Sequence, residues 1–517
     1  MIWRAYPLAI AAALSCLGYG FGLGRFAGIT VNIGDAGILG LTCIVILGCA
    51  IHFVSALSTT VQIVTIVVGL ALCAAFRGEL IRQCRGSLVP ILVGLSAFFH
   101  RYAFTFYDNG LYHIQSVKWN GEFPIVLGLG NLHSRLAFNS VLHIMAPLDD
   151  RADCGWISGL LLLLFVLISC YARFSAARSA SVEFWFLGLA VGLLALGAPG
   201  ALGWLGVLNG DGFVAILTVY WFSIALSLSS RPQTDVPLLI LVSVLAVTVK
   251  LSAAPLFFLA LVVAWFHRKT ADLSLVKPAA VAAVLLVLWM ARSVALSGCL
   301  VYPLPQSCIP GLPWAVERSH AVTEMLGIKS WARAPHRFDP AKVLSDWTWV
   351  GQWSLNTWKD WSARLFVAGA LAGFVSVLVG MRIDRRVAGA MAGLGLCLAY
   401  WFWNAPDVRF GFGYLAAAGI LGFAIACTAY FPDTDLARRL TLDAVAVSVL
   451  LGAAGLLHSG NTWTVRNPPA VAMRTTPEGK SIGVTQGNRE GSDQCWDHPL
   501  PCSPYFEPER LKHVRWR

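Results

Sequence analysis

Ile157-Ser158-Gly159-Leu160-Leu161-Leu162-Leu163-Leu164-Phe165-Val166-Leu167-Ile168-Ser169-Cys170-Tyr171-Ala172 runs without a charge and is followed at once by Arg173 and Arg178. Such a run is too apolar for a solvated helix face. With Gly155 and Trp156 before it, it approaches the ~20 residues that carry a helix through a bilayer core. The pattern recurs along the chain. Apolar runs near 5–24, 36–56, 60–76, 87–104, 155–172, 183–198, 213–229, 236–249, 253–266, 278–294, 363–381, 387–403, 412–431 and 441–457 make fourteen candidate spans. Over all 517 residues, 57% are apolar and 13% charged, which excludes a soluble multidomain protein. The expected fold is an all-α polytopic membrane protein with about 14 transmembrane helices.

The 38 Lys and Arg against 27 Asp and Glu leave a net charge of +11, which in a soluble protein would suggest nucleic acid. Here the cations cluster in alternate connections, at Arg25, Arg77/Arg82/Arg85, Arg173/Arg178, Arg231, His267-Arg268-Lys269, Arg382/Arg385/Arg386 and Arg438/Arg439. The positive-inside rule assigns those connections to the cytoplasm and leaves no nucleic-acid role. The chain then divides into N-terminal transmembrane helices (1–104), an external loop (105–154), transmembrane helices (155–294), an external Pro/Trp-rich loop (295–362), C-terminal transmembrane helices (363–457) and an external tail (458–517). The N-terminus is expected outside. The first span does not read as a cleaved signal, because Arg4 is its only flanking basic residue and no A-x-A site follows.

Disulfides persist outside the cytosol. Cys299 and Cys308 flank a Pro-rich turn, and Cys495 and Cys502 lie seven apart, so two local disulfides are expected in the external segments. Neither pair carries the CxxC or HxxxH spacing of a zinc site. No Walker, dinucleotide or GxSxG motif occurs.

The chemistry-bearing residues concentrate in the first external loop, Phe106-Tyr107-Asp108-Asn109-Gly110-Leu111-Tyr112-His113-Ile114-Gln115-Ser116-Val117-Lys118-Trp119-Asn120-Gly121-Glu122-Phe123-Pro124. Asp108-Asn109 suits an N-cap for a helix over 109–120 that lies in the membrane interface, ending at Gly121. Leu111, Ile114 and Val117 then share an apolar face, while Asp108, Tyr112, Gln115 and Trp119 share a polar one that looks into a wet cavity. The plainer reading makes Asp108 only a cap and His113 a surface histidine. Capping alone does not call for Lys118, Glu122, His133, Arg135 and Asn139 nearby.

An acidic residue just beyond a span, opening a long first external loop, resembles the GT-C type of integral-membrane glycosyltransferases. The runs Tyr107-Asp108-x-Gly110-Leu111-Tyr112-His113, Gly130-Asn131-Leu132-His133-x-Arg135, Arg292-x5-Gly298-x3-Tyr302-Pro303 and Ala405-Pro406-Asp407-x-Arg409-Phe410 are similar to a little-characterised bacterial multi-pass family near that fold. The likeness covers most of the chain from about residue 85. It implies sugar transfer from a polyprenyl-phosphate-linked donor to a glycan or lipid acceptor of the cell envelope, on the external face of a bacterial inner membrane. It makes Asp108 the general base, with His113 as a second candidate catalytic residue.

The expected substrate-binding residues are Tyr112, Lys118, Glu122, His133, Arg135, Asn139, Asp211, Lys250, Arg292, Tyr302, Asp407 and Arg409. Lys250 interrupts an apolar stretch at a depth where charge is costly, although a lysine can also snorkel to the surface. Arg292 and Arg409 are external cations in a chain whose cations are mostly cytoplasmic, and a guanidinium fork suits phosphate oxygens. The plainer readings are a headgroup anchor for Arg292 and a local Asp407–Arg409 pair. Asn209-Gly210-Asp211 offers a second carboxylate or an ordinary turn. No cofactor is certain. A divalent cation is the one candidate, held by Asp108 with Asp211 or Glu122. Rival functions are a polysaccharide polymerase or ligase using lipid-linked glycans, and a lipid or solute transporter.

Overall fold

The structure is a computed structural model that describes residues 2–84, 106–145, 156–177, 181–205, 208–228, 231–269, 274–335, 339–431, 470–486 and 493–515, with the single positions 435, 439, 443 and 447. Among the described residues nine helices are long and apolar enough to cross a membrane, from Pro7–Ala27 to Val408–Tyr430. Thr59–Ala75 and Arg77–Gln83, bent by 74°, make a tenth if taken as one span. The protein is therefore a helical membrane protein, but the fourteen expected spans are not reached. Run 253–266 lies in the shorter apolar helix Leu251–His267, and run 183–198 lies in the 24-residue helix Val182–Leu205, of which Val182–Ala195 is the described apolar part. Run 87–104 and all but two positions of 441–457 lie outside the described residues.

Side-chain caps set several of the boundaries. Asn32 Oδ1 accepts from Asp35 N at 2.9 Å to start Ile33–His52, and Asp360, Asp384 and Asp407 do the same for Trp361–Leu378, Arg385–Asn404 and Val408–Tyr430. One helix pair rests on small residues. A Cβ on Gly422 of the Val408–Tyr430 helix would lie 2.1 Å from the Gly369 carbonyl oxygen, and one on Gly373 would lie 2.4 Å from Gly422 Cα. Gly369 and Gly373 thus act as the small-xxx-small face that lets two membrane helices meet backbone to backbone.

Arg173, expected in a cytoplasmic connection, is instead buried within the Trp156–Ala176 helix. Its guanidinium lies 3.4 Å from Asp35 Oδ2 and 2.9 Å from Asp235 Oδ1, while Ser169 and Tyr220 donate to the Asp35 carboxylate. Asp235 lies in the first turn of the Pro232–Val249 helix and Lys250 is its C-cap, so this ion triad and the Lys250 end stand ~22 Å apart along that helix. The residues singled out in the sequence gather at the Lys250 end.

The tail is not structureless. β1 (Val471–Thr475) pairs antiparallel with β2 (Ser481–Thr485), which pairs in parallel with β3 (Cys502–Ser503). One small sheet thus accompanies the otherwise helical fold. Both expected disulfides, Cys299–Cys308 and Cys495–Cys502, are formed. The tail docks on the first loop, where Trp496 N donates to the Gly110 carbonyl at 2.9 Å and Arg515 N to that of Leu127 at 3.0 Å. Gly110 is required here, because a Cβ would sit 2.4 Å from the Trp496 ring. Ile482, Leu511 and Val514 of the tail join Leu111, Trp119, Leu132 and Leu136 in one apolar cluster.

Candidate functional site

Asp108 does not cap. Its backbone is already helical, its side chain makes no capping bond, and the residues that follow, Asn109–His113, form a π turn that continues as the Ile114–Glu122 helix. A π turn holds an extra residue, so the side chains beyond it rotate away from their expected face. Asp108, Tyr112 and His113 line a cavity. Gln115 instead donates to the Trp496 and His498 carbonyls at 2.9 and 3.0 Å, and Trp119 packs on Phe123 in the cluster beneath the tail.

Freed from capping, the Asp108 carboxylate meets two guanidinium groups, with Oδ1 at 3.1 Å from Arg135 Nη1 and Oδ2 at 3.8 Å from Arg409 Nη1. Arg135 Nε lies 3.6 Å from Glu324, Arg409 Nε lies 3.3 Å from Asp211 Oδ2, and Lys250 also pairs with Asp211. The result is a chain of alternating charges, Glu324–Arg135–Asp108–Arg409–Asp211–Lys250, assembled from segments distant in sequence.

Local structure aims each member. Asn209 Oδ1 accepts from Asp211 N at 2.9 Å, fixing Asp211 in the first turn of Gly210–Ser227, where the helix dipole favours an anion. Lys250 is extended, ends its helix, and is followed by the 3-10 turn Leu251–Ala253, and its ammonium stands 4.2 Å from the Phe410 ring centre. The Arg409 guanidinium lies among Phe106, Trp331 and Phe410, 5.0 to 5.3 Å from each ring centre. The Asp407 carboxylate accepts the Arg409 backbone N–H at 2.9 Å, while the Arg409 guanidinium pairs with Asp108 and Asp211, so the local side-chain pair considered from sequence is not the one formed among the described residues. Burial raises the Asp407 carboxyl above its ordinary range, against the pull of Arg409.

The cavity beside this chain has a volume of about 240 Å³. Its wall mixes polar side chains, among them Asp108, His113, His143, Asn209, Asp211 and Lys250, with apolar ones such as Leu251, Leu304, Met325, Ile328, Trp401 and Phe410. Buried groups around it lack hydrogen-bond partners among the described residues: Tyr302 Oη, Asn209 Nδ2 and Ser252 Oγ. Leu208, also on the wall, holds a positive φ of 53°, and the His143 imidazole hydrogen-bonds its backbone.

Eight predicted residues lie outside the cavity wall: Arg135, Asp407 and Arg409, described above, and five others. Lys118 pairs with Asp497 at 3.0 Å and also binds the His498 carbonyl, so it anchors the tail. Glu122 is exposed at its helix end. His133 is buried against Tyr112 and Tyr505; burial, aided by Arg135 and Arg510, pushes its imidazole down to about 3. Arg292, expected at the external surface, is fully buried and donates to Asn139 Oδ1 at 2.7 Å, Asn120 Oδ1 at 3.1 Å and His52 Nδ1 at 3.4 Å. Asn139 belongs to that cluster, closed by its bond to the Trp289 carbonyl. Sequence reading missed His143, Glu324 and Lys329. The last two lie on the Arg318–Arg333 helix, within the segment read as a Pro/Trp-rich loop. Among the described residues no group of three or more His, Cys, Asp or Glu could hold a metal ion. Asp108 and Asp211 spend their oxygens on cations and Glu122 lies elsewhere, so the carboxylate set proposed for a divalent cation does not fit one.

A family model described as a domain of unknown function, DUF8201, matches residues 7–416. The chain belongs to this family. The matched region contains every member of the charge chain and all of the cavity wall, whereas the docked tail lies beyond it. No curated protein and no solved structure matches the chain.

Proposed function

We propose that the protein is a membrane glycosyltransferase that moves a sugar from a polyprenyl-phosphate-linked donor to a cell-envelope glycan or lipid acceptor, working at the external face of a bacterial inner membrane. The observation that carries this reading is the Asp108 carboxylate, relieved of any capping duty and held between Arg135 and Arg409 on the wall of a cavity lined by both polar and apolar side chains. Such a mixed lining suits a donor that joins a sugar phosphate to a lipid chain.

In the proposed mechanism Asp108 takes the proton of the acceptor hydroxyl as the hydroxyl oxygen attacks the anomeric carbon, and the sugar–phosphate bond breaks to release the lipid phosphate. Arg135, at 3.1 Å, orients the carboxylate, while the longer Arg409 contact leaves the second oxygen open to the incoming hydroxyl. His113 lines the same cavity and is held by Asn109 Oδ1 at 2.9 Å, where it can orient the acceptor.

A transporter is the second reading. It is favoured by the broken helix at Lys250 and by the Asp35–Arg173–Asp235 triad inside the bundle, both of which are features of membrane carriers. The deciding experiment compares envelope glycans and lipids of cells with and without the gene. The transferase reading predicts a glycan lacking one sugar. Loss of the whole glycan, with its complete lipid-linked precursor accumulating on the cytoplasmic leaflet, would reject it in favour of transport.

A further inference from the structure

The tail grips the two segments that build the Asp108–Arg135 pair, and it does so from either side of its own disulfide. The first grip is on the π turn. Gln494 Nε2 donates to the Tyr107 carbonyl at 2.7 Å, Asp493 accepts from the Tyr107 hydroxyl, and Trp496 N donates to the Gly110 carbonyl at 2.9 Å. Asp108 lies between the two carbonyls so held. Trp496 Nε1 in turn donates to Gln494 Oε1 at 2.9 Å, which braces the gripping residues against each other. The second grip is on the segment that carries Arg135. Ser503 Oγ donates to the Leu132 carbonyl at 3.0 Å, Arg510 Nη2 donates to the Gly130 carbonyl at 3.0 Å, and the Tyr505 ring centre lies 5.2 Å from that of His133. Cys495 stands between Gln494 and Trp496, and Cys502 precedes Ser503, so the Cys495–Cys502 bond ties one grip to the other.

The π turn gives these grips something to do. It is a rare conformation that holds one residue more than an α turn. Relaxing it would rotate the side chains on one side against those on the other by about 100°, the angle one residue takes in a helix. The far side is fixed. Gln115 donates to the Trp496 and His498 carbonyls, Lys118 to those of Asp497 and His498, and Trp119 is buried beneath the tail. The rotation would therefore fall on Asp108 and carry its carboxylate away from Arg135, 3.1 Å distant in the held turn.

We infer that the disulfide-tied tail is a positioning element for the reaction, in which Gln494, Trp496 and Ser503 keep the Asp108 carboxylate in register with the Arg135 guanidinium. These residues act through Asp108 and lie outside the family match, whereas the residues they grip lie inside it. The inference rests on the transferase reading for what Asp108 does, but not for how Asp108 is held.

Two readouts test it. Hydrogen exchange of the full-length protein in lipid nanodiscs reports on the turn directly. Sugar incorporation into the envelope glycan of complemented cells, at matched expression, reports the consequence. Gln494→Met keeps the size of the side chain and removes the donor to Tyr107, Ser503→Ala removes the donor to Leu132, and Cys495→Ser with Cys502→Ser cuts the tie. For Gln494→Met the expected result is exchange about three- to tenfold faster between Tyr107 and His113, no change in the membrane spans, and incorporation slowed by about the same factor. Ser503→Ala slows incorporation likewise, and the cysteine pair, which loosens both grips, slows it further. Because the grips act through Asp108, Gln494→Met lowers incorporation no further in an Asp108→Asn background. An equal factor in that background marks a merely structural role and overturns the inference. Unchanged exchange over 107–113 in folded Gln494→Met overturns it as well, whatever the glycans show. Wild-type incorporation by Asp108→Asn alone rejects the transferase reading and with it the positioning role, while faster exchange in Gln494→Met would still establish the grip on the turn.

Discussion

Asp211 is the carboxylate on which two cations converge, and replacing it with asparagine is the sharpest probe of the charge chain. Its side chain is 4% exposed, Arg409 Nε lies 3.3 Å away, and Lys250 is in direct contact. At an effective dielectric of about 20, a pair at that separation attracts by about 5 kcal/mol before desolvation is subtracted. Removing one partner of a buried pair costs about 3–5 kcal/mol, because the other charge is left stranded. The stranding is incomplete here. Lys250 is 33% exposed and can turn to water, and Arg409 retains Asp108 at 3.8 Å. The expected loss is therefore about 2–3 kcal/mol, read as the midpoint of SDS-driven unfolding in mixed micelles followed by tryptophan fluorescence. Asp211→Asn combined with Lys250→Gln should lose less than the sum of the single variants, by about 1 kcal/mol. Wild-type midpoints for the single variant, or strict additivity in the double, would refute the ion chain.

Three further outcomes follow from the packing. Gly422→Val pushes a branched side chain into the Gly369 backbone and should cost about 3 kcal/mol on the same unfolding scale, whereas Gly389→Ala, with open space around its Cβ, should change nothing; equal midpoints would contradict the packing of these helices. Replacing Cys495 and Cys502 by serine opens a short loop and should cost the tail about 2.5 kcal/mol, seen as limited proteolysis near residues 493–515 with the spans left intact; equal protease resistance would contradict it. His133, held down to about 3 against an ordinary 6.5, stays neutral in the folded chain while the unfolded chain protonates. The His133 contribution is full above pH 6.5 and falls below it by about 1.4 kcal/mol per unit, so the midpoint should drop between pH 7 and pH 5 and drop less in His133→Gln, although not vanish, because burial also holds the His143 imidazole down. A pH-independent midpoint would contradict the buried imidazole.

What sequence could read was local, and what it could not was a matter of long-range pairing. The apolar runs were legible because a bilayer demands them, and the cysteine pairs because each closes a short loop. Asp108 stood out by its position at the end of a span, and Asp211, Lys250 and Arg409 by being charged beside apolar segments. Their convergence on one end of the bundle was not legible, since Arg135 reaches Asp108 across 27 residues and Lys250 lies 39 residues from Asp211. The π turn at Asn109–His113 defeated a face assignment that assumed 3.6 residues per turn, so Gln115 and Trp119 were assigned to the wrong side. Lys118 had the character of a phosphate ligand, but its partner Asp497 comes from a tail whose docking leaves no mark near residue 118. Arg173 looked like a loop cation because Asp35 and Asp235 are far away in sequence. The helix bearing Glu324 and Lys329 was hidden within a segment whose prolines and tryptophans suggested a loop.

The most direct test is complementation of cells lacking the protein with Asp108→Asn, expressed to the wild-type level and confirmed to unfold at a comparable midpoint. Asparagine preserves the size of the side chain and removes the base. Transfer assisted by a general base predicts loss of about 100-fold or more in the rate of sugar incorporation into the envelope glycan, with the lipid-linked donor accumulating. Wild-type incorporation by Asp108→Asn would contradict a catalytic Asp108 and reduce its contacts with Arg135 and Arg409 to a structural pairing.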